Sequence, residues 1–313
     1  MLVLYVANCF YKPRFSDSTA CHMLVYSTML FQGLDPVEAV KSIAMLVTES
    51  RFVELSHAHT DRMDVEQFRH CMPKLFDMVR DFDIALKIIH MPTYLSRVES
   101  IDDVEKIVTQ ASKWLDAAYF LGINTAVIHT LYTVKQVSTY TPEWFNKNIE
   151  LNRKFIHKLG QKARELGIVL AIENRVERWL VGNTATELVK IIHGFDGVGV
   201  CFDLGHAHAS GYDPAEFHEM VREYIVAYHV HDNDGTRDQH LLPLLGTINW
   251  NAVRNIMDRS KPMVFEVACI SGRLCGNYVK LISVIYRNIF GDCLLYTSPS
   301  PRDLSTSRMP SSA

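Results

Sequence analysis

The sequence predicts an α/β protein of a single domain, a closed (β/α)8 barrel, and three observations predict it. Eight short apolar runs alternate with longer amphipathic stretches along most of the 313 residues, the rhythm of parallel strands joined by crossover helices. The runs have the apolar character of strands buried on both sides, as barrel strands under a helical layer must be. No Gly-rich GxGxxG turn follows the first run, which argues against an open dinucleotide-binding sheet.

Taken in order, the first unit joins a strand at 2–7 to a helix at 35–49, where Asp35-Pro36 supplies an N-cap and a first turn. The second pairs 52–55 with 64–81, and the third 85–90 with 101–121. Strand 124–129 and helix 143–166 make the fourth, 168–173 and 184–193 the fifth, and 197–203 and 214–223 the sixth. The last two are 225–231 with 249–258 and 263–267 with 277–289. Insertions at 8–34 and 130–142 fall after the first and fourth strands, on the C-terminal face where such barrels carry their sites, and are expected to form walls or lids.

The barrel is expected to span 1–292, followed by a foreign tail at 293–313. That tail, CLLYTSPSPRDLSTSRMPSSA, is Ser/Pro-rich and has neither helical nor strand periodicity. CLLYTSPSPRD and SRMPSSA coincide with the translation of a common short-read library adapter, with LST in the place of an index barcode. The expectation is that the natural chain ends or is cut near Asp292.

Composition narrows the function classes. A net charge of −3 gives no global basic field for nucleic acid or an acidic membrane. No apolar run reaches membrane-span length, and MLVLYVANCF lacks the basic start and cleavage site of a signal peptide. A cytoplasmic protein is expected. Seven scattered cysteines without a CxxC pair predict reduced thiols, mostly core fillers, rather than disulfides or a zinc knuckle.

Four runs end in acid or imidazole side chains: IVLAIEN with Glu173, VGVCFDLGHAH with Asp203 and His206, IVAYHVHDND with His229, and MVFEV with Glu266. Parallel strands that end in such groups converge on one point, which predicts a divalent metal site. Glu173 alone reads equally as a ligand or a loop cap. Asp203 and His206 could face the same mouth across Gly205. His229 and His231 point to one side of their strand, so one can bind metal while the other orders the loop or the substrate. Asp232, Asn233 and Asp234 read as a solvated loop. Glu266 lies in a buried run, where a lone carboxylate costs several kcal/mol unless paired or metal-bound. His90 and His129 end two neighbouring strands, and Glu54 is a weaker candidate of the same kind.

These motifs resemble the xylose isomerase-like TIM barrels, a superfamily of sugar and sugar phosphate isomerases and epimerases that also includes the endonuclease IV type of AP endonucleases. The resemblance runs to about residue 290 and rests on IEN, DLGHAHASGYD, HVHDND with DQH downstream, and FEV. In the epimerases it implies one ion held by Glu173, Asp203, His229 and Glu266, with His206 on the substrate. In the endonucleases it implies three zinc ions that also use His90, His129, His206, Asp238 and His240. The stretch ENRVERWLVGNTATEL looks like the isomerase branch, whereas Leu244-Leu245-Gly246 replaces the usual GEG of both.

The favoured reading is an isomerase or epimerase of a sugar, sugar phosphate or inosose. An ion of Mn2+, Mg2+, Co2+ or Zn2+ would polarise the substrate carbonyl, and Glu173 and Glu266 would be the acid/base pair working through an enediolate. His206, His90, His129, His231, Arg237 and His240 would face the substrate, with a plain surface role as the alternative for Arg237. The partner is then a small sugar or polyol, a homo-oligomer is compatible with such a barrel, and nucleic acid enters only on the endonuclease alternative. A barrel that binds sugar without catalysis is a third reading, opposed by the intact acid set.

Overall fold

Eight parallel strands close on themselves in the computed structural model, which describes residues 23–291 except 48–49, 101–102, 134–140, 270–271 and 273. They are β1 (Leu24–Ser27), β2 (Phe52–Leu55), β3 (Ala85–His90), β4 (Thr125–His129), β5 (Val169–Glu173), β6 (Val198–Asp203), β7 (Ile225–His229) and β8 (Met263–Phe265). Each pairs with its neighbours in sequence, and β1 pairs with β8 through Leu24↔Met263 to close the barrel. The outer helices are α1 (Pro36–Ala44), α2 (Val65–Phe82), α3 (Val104–Phe120), α4 (Pro142–Glu165), α5 (Ala185–Ile192), α6 (Pro214–Val221), α7 (Trp250–Val253) and α8 (Cys275–Phe290).

Local chemistry starts these helices where the chain turns outward. Asp35, Thr141, Thr184 and Asp213 accept backbone N–H bonds as N-caps, and Asp64 with Gln67 forms a reciprocal capping box. The helical faces then bury Val40, Phe68, Trp114, Phe155, Leu188 and Ile282 against the outward residues of the strands. Burying an apolar side chain of this size stabilises by about 1.5–3 kcal/mol.

Strand alternation decides what enters the barrel. Val25, Ile88, Val127, Ala171, Cys201, Ala227 and Val264 form a small apolar plug inside, with Phe52 packed against it. Two residues further along each strand or its end stand Ser27, Glu54, His90, His129, Glu173, Asp203, His229 and Glu266, so the period of two raises them as one layer on top of the plug. Register then sets them side by side: Ser27↔Glu54, His129↔Glu173 and Asp203↔His229 are direct partners across strands.

Three sequence expectations change. The first described barrel strand is Leu24–Ser27, inside the stretch read as an insertion; the run at 2–7 lies outside the described residues. Four residues are enough for β1 because β2 and β8 flank it, a tertiary condition that a short apolar run does not advertise. Helix 249–258 shrinks to Trp250–Val253. Cys269 and Cys275 are disulfide-linked rather than reduced, because the chain after β8 returns to place the start of α8 beside the strand end; scattered spacing could not reveal that approach. Cys71 and Cys201 are free, as expected. Cys9, Cys21, Cys293, the tail at 293–313 and most of the insertion at 130–142 fall outside the described residues.

Candidate metal centre

The layer above the plug is a dense set of buried acids and imidazoles. His229 Nδ1 lies 2.8 Å from Glu173 Oε1, 3.3 Å from Glu266 Oε2 and 3.7 Å from Asp203 Oδ2. One donor atom from each of these four residues lies within 4.8 Å of the others, close enough to share one ion.

The outward side of His229 explains its orientation. Its Nε2 lies 3.0 Å from Glu54 Oε2, and Ser27 Oγ donates to Glu54 Oε1 at 2.9 Å. With the ring proton committed to Glu54, the Nδ1 lone pair is turned to the three carboxylates, the usual way a ligating imidazole is fixed. The pattern recurs. His90 Nδ1 donates to Met91 O at 2.8 Å while Nε2 lies 2.8 Å from Glu173 Oε2. His206 Nδ1 donates to Asn174 O and His240 Nδ1 to Glu266 O, while both Nε2 atoms meet Asp238 Oδ2 at 3.2 and 3.1 Å. His129 Nε2 is 2.7 Å from Glu173 Oε2 yet makes no hydrogen bond.

Lone pairs aimed at buried carboxylates repel unless positive charge lies between them. The electrostatics show the same demand. Burial opposes a charge on His90, but Glu173 outweighs it and raises the imidazole to about 9. His240 rises to about 9 against its burial through Asp238. Burial likewise opposes charge on His229, and Cys201, Glu266, Glu173 and Glu54 together push it well above its ordinary value. His129 goes the other way, to about 4, because burial there outweighs Glu173. A site that draws protons onto imidazoles this strongly fits a divalent cation, whose charge would replace those protons.

The structure brings together Glu173, Asp203, His229 and Glu266, sets His90 and His129 on Glu173, and gathers His206, Asp238 and His240 beside them. His231 is buried behind Asp203, with Nε2 3.1 Å from its carboxylate and its ring stacked on His240 at 4.1 Å, so it orients rather than lines the mouth. Arg237 is 74% exposed, 3.8 Å from Asp234, and absent from the cavity lining, which corrects its reading as a substrate group. The long side chain has solvent as a better neighbour than the buried layer. Asp232 and Asn233 are buried anchors rather than solvated loop: Asp232 accepts from the N–H groups of Leu244 and Ile248 and from Trp250 Nε1.

A cavity of about 280 Å³ opens above the layer. Its lining includes His57, Arg175 and Glu177, which the sequence reading did not single out. His57 stands at the first turn after β2, its Nδ1 3.3 Å from Glu266 Oε1. Arg175 is bound to Glu177 at 3.0 Å and donates to Thr130 O, so it forms a fixed wall. The signal for Arg175 and Glu177 was their place directly after IEN; His57 carried none beyond its residue type. A wider depression of about 520 Å³ near Tyr94 and Trp114 is edged by the exposed Asp61, Asp64 and Glu66 and has no buried donor set.

Residues 50–273 match the sequence profile of a family described as xylose isomerase-like TIM barrel. The chain is 29% identical over 171 residues to the uncharacterized protein MJ1311 of Methanocaldococcus jannaschii, covering 52% of this chain and 57% of that protein. It is 31% identical over 139 residues to a probable endonuclease 4 of Thermoplasma volcanium, covering 39% of this chain and 50% of the relative. The chain thus spans little more than half the length of these relatives. Among solved structures, a D-tagatose 3-epimerase-like protein superposes with a TM-score of 0.70 at 19% identity, covering 85% of this chain and 97% of that one. At that identity the likeness is one of fold.

Proposed function

Since the chain belongs to the xylose isomerase-like TIM barrel family, we propose that it is a metal-dependent isomerase or epimerase of a small sugar or polyol. One observation carries the reading: Glu173 and Glu266, from β5 and β8, both reach His229 Nδ1 at the floor of a cavity of only about 280 Å³. That volume lies just below the usual range of small-molecule sites and suits a single sugar ring.

Glu173, Asp203, His229 and Glu266 would hold the ion, of which Mn2+, Mg2+, Co2+ and Zn2+ all suit a mixed carboxylate and imidazole set. When bound, it would polarise a substrate carbonyl and balance the negative charge that develops beside it. One glutamate removes the proton next to the carbonyl, and the other returns a proton to the opposite face or to the adjacent carbon. The first route gives epimerisation and the second aldose–ketose exchange. His206, held by Asn174 O and Asp238, would orient a substrate hydroxyl by exchanging its contact with Asp238 for one to the substrate, with His240 beside it. The fold likeness to a D-tagatose 3-epimerase-like protein supports this reading.

The test is proton exchange. Incubating the metal-loaded protein with a panel of ketoses, their phosphates and inososes in deuterated water is expected to place deuterium at the carbon next to the carbonyl. Glu266→Gln, nearly isosteric but no base, is expected to lower exchange by about 10²–10⁴-fold. Full exchange in that variant sinks the acid/base role.

A second reading is favoured by a specific observation. The nine side chains that the endonuclease branch of the family would use are all assembled here, with His90 and His129 on Glu173 and His206 with His240 on Asp238. Three bound zinc ions together with incision of an abasic duplex would replace the sugar enzyme by a nuclease. One catalytic ion with no incision supports the sugar enzyme.

A further inference from the structure

His57 and Glu266 confront each other in a way the proposed chemistry leaves unused. His57 Nδ1 and Glu266 Oε1 lie 3.3 Å apart, both atoms are buried, and neither makes a hydrogen bond. Glu266 Oε2 is the oxygen turned to His229, so Oε1 is the one left over by the four-residue site. Donor atoms of His57, His90 and Glu266 lie within 4.8 Å of one another, whereas His129, although it touches Glu173, joins no such group among the described residues. The His57 and His90 rings meet edge to face at 4.8 Å, and His90 has its other nitrogen committed to Met91 O. The His57 side chain is 26% exposed and lines the cavity, which gives an ion a path from solvent.

We propose that His57, His90 and Glu266 form a second, inhibitory divalent-cation site, bridged to the first through the two oxygens of Glu266. The inference rests on the four-residue reading of the first site. Two imidazole nitrogens and one carboxylate oxygen suit a borderline ion such as Zn2+ or Mn2+. An ion on Oε1 would withdraw the free oxygen of Glu266 from proton transfer, because a carboxylate held at both oxygens is a poor base. His57 is the gatekeeper: it is the member of the set that no other proposed role employs.

The experiment is a metal titration of the full chain after removal of bound ions, with Mn2+ as the probe. Bound equivalents are counted by equilibrium dialysis, and paramagnetic resonance reads the coupled signal of two adjacent Mn2+ ions. Wild type is expected to bind a tight equivalent and then a weaker one that brings up the coupled signal. His57→Ala is expected to lose that one equivalent and the coupling, and His129→Ala to keep both. If turnover is measurable, inhibition at high metal disappears in His57→Ala. Should His57→Ala lose its native circular dichroism, His57→Asn is read in its place. Unchanged equivalents and coupling in the His57 variant overturn the proposal, and so does their loss in His129→Ala alone, which moves the ion to the His90–His129–Glu173 set. Asp203→Asn separates the premise: if it retains the tight equivalent, the four-residue site is wrong whatever His57 does.

Discussion

Glu54 shows how one side chain can decide the use of another. It never reaches the cavity, yet it takes the Nε2 side of His229 and is itself held by Ser27. Its removal would free the imidazole to turn its proton toward Glu173 and Glu266, the wrong tautomer for binding an ion. Glu54→Ala is therefore expected to weaken divalent-metal affinity by roughly 10–100-fold, the usual effect of losing a partner behind a ligand; calorimetric titration with Mn2+ measures it. An unchanged affinity would mean that the pair with Glu54 is not what orients His229. Glu54 was legible in the sequence only as a strand-end acid of weak standing, because its role depends on a partner 175 residues away.

At the scale of elements, the DLGH turn after β6 carries the tightest packing. A Cβ on Gly205 would lie 1.9 Å from His231 Cε1 and 2.5 Å from its Nε2, the atom that meets Asp203. Glycine is needed here for close approach. Gly205→Ala is expected to cost about 1–3 kcal/mol of stability, the range for overpacking, and to weaken metal binding by displacing Asp203. Urea unfolding gives the first number and metal titration the second. A second device is the short helix after β2, where His59 Nε2 donates to Thr28 O and ties this turn to the end of β1. Burial lowers the His59 pKa below its ordinary value, so the folded form prefers the neutral ring. The sign follows: its contribution is complete above the unfolded value near 6.5 and is lost as pH falls through the lowered folded value. The stability difference between wild type and His59→Gln is thus expected to narrow as pH falls below the unfolded value near 6.5; a difference independent of pH would show that the His59 ring makes no such contribution.

For the whole molecule, the arrangement trades stability for a site. Glu54, Glu173, Asp203, Glu266, His90 and His229 are all buried within one layer, and groups of this kind are costly to desolvate without compensation. A cation bound only in the folded state stabilises by about 4 kcal/mol at a free concentration a thousand times Kd. Removing metal with a chelator is therefore expected to lower Tm by on the order of 10 °C, and re-adding it to restore Tm in proportion to the logarithm of its concentration. A Tm indifferent to chelation would show that the imidazoles alone compensate the carboxylates.

What the sequence determined by itself was everything carried by local period. Alternating apolar runs mark β2 to β8 to within a few residues, and their ends name Glu173, Asp203, His229 and Glu266, since strand geometry projects residue i+2 on the same side as residue i. Tertiary structure decided what depends on register and on returning chain. The choice of Leu24–Ser27 as the closing strand needed β2 and β8 on its two sides. Burial of Asp232 needed the donors of Leu244, Ile248 and Trp250. The Cys269–Cys275 bond and the approach of His57 to Glu266 likewise arise from segments that meet only once the barrel has closed. Short-range pattern is set by the geometry of a few consecutive residues, whereas contacts between distant segments are set by how eight strands share one circumference, and no stretch of sequence carries that information alone.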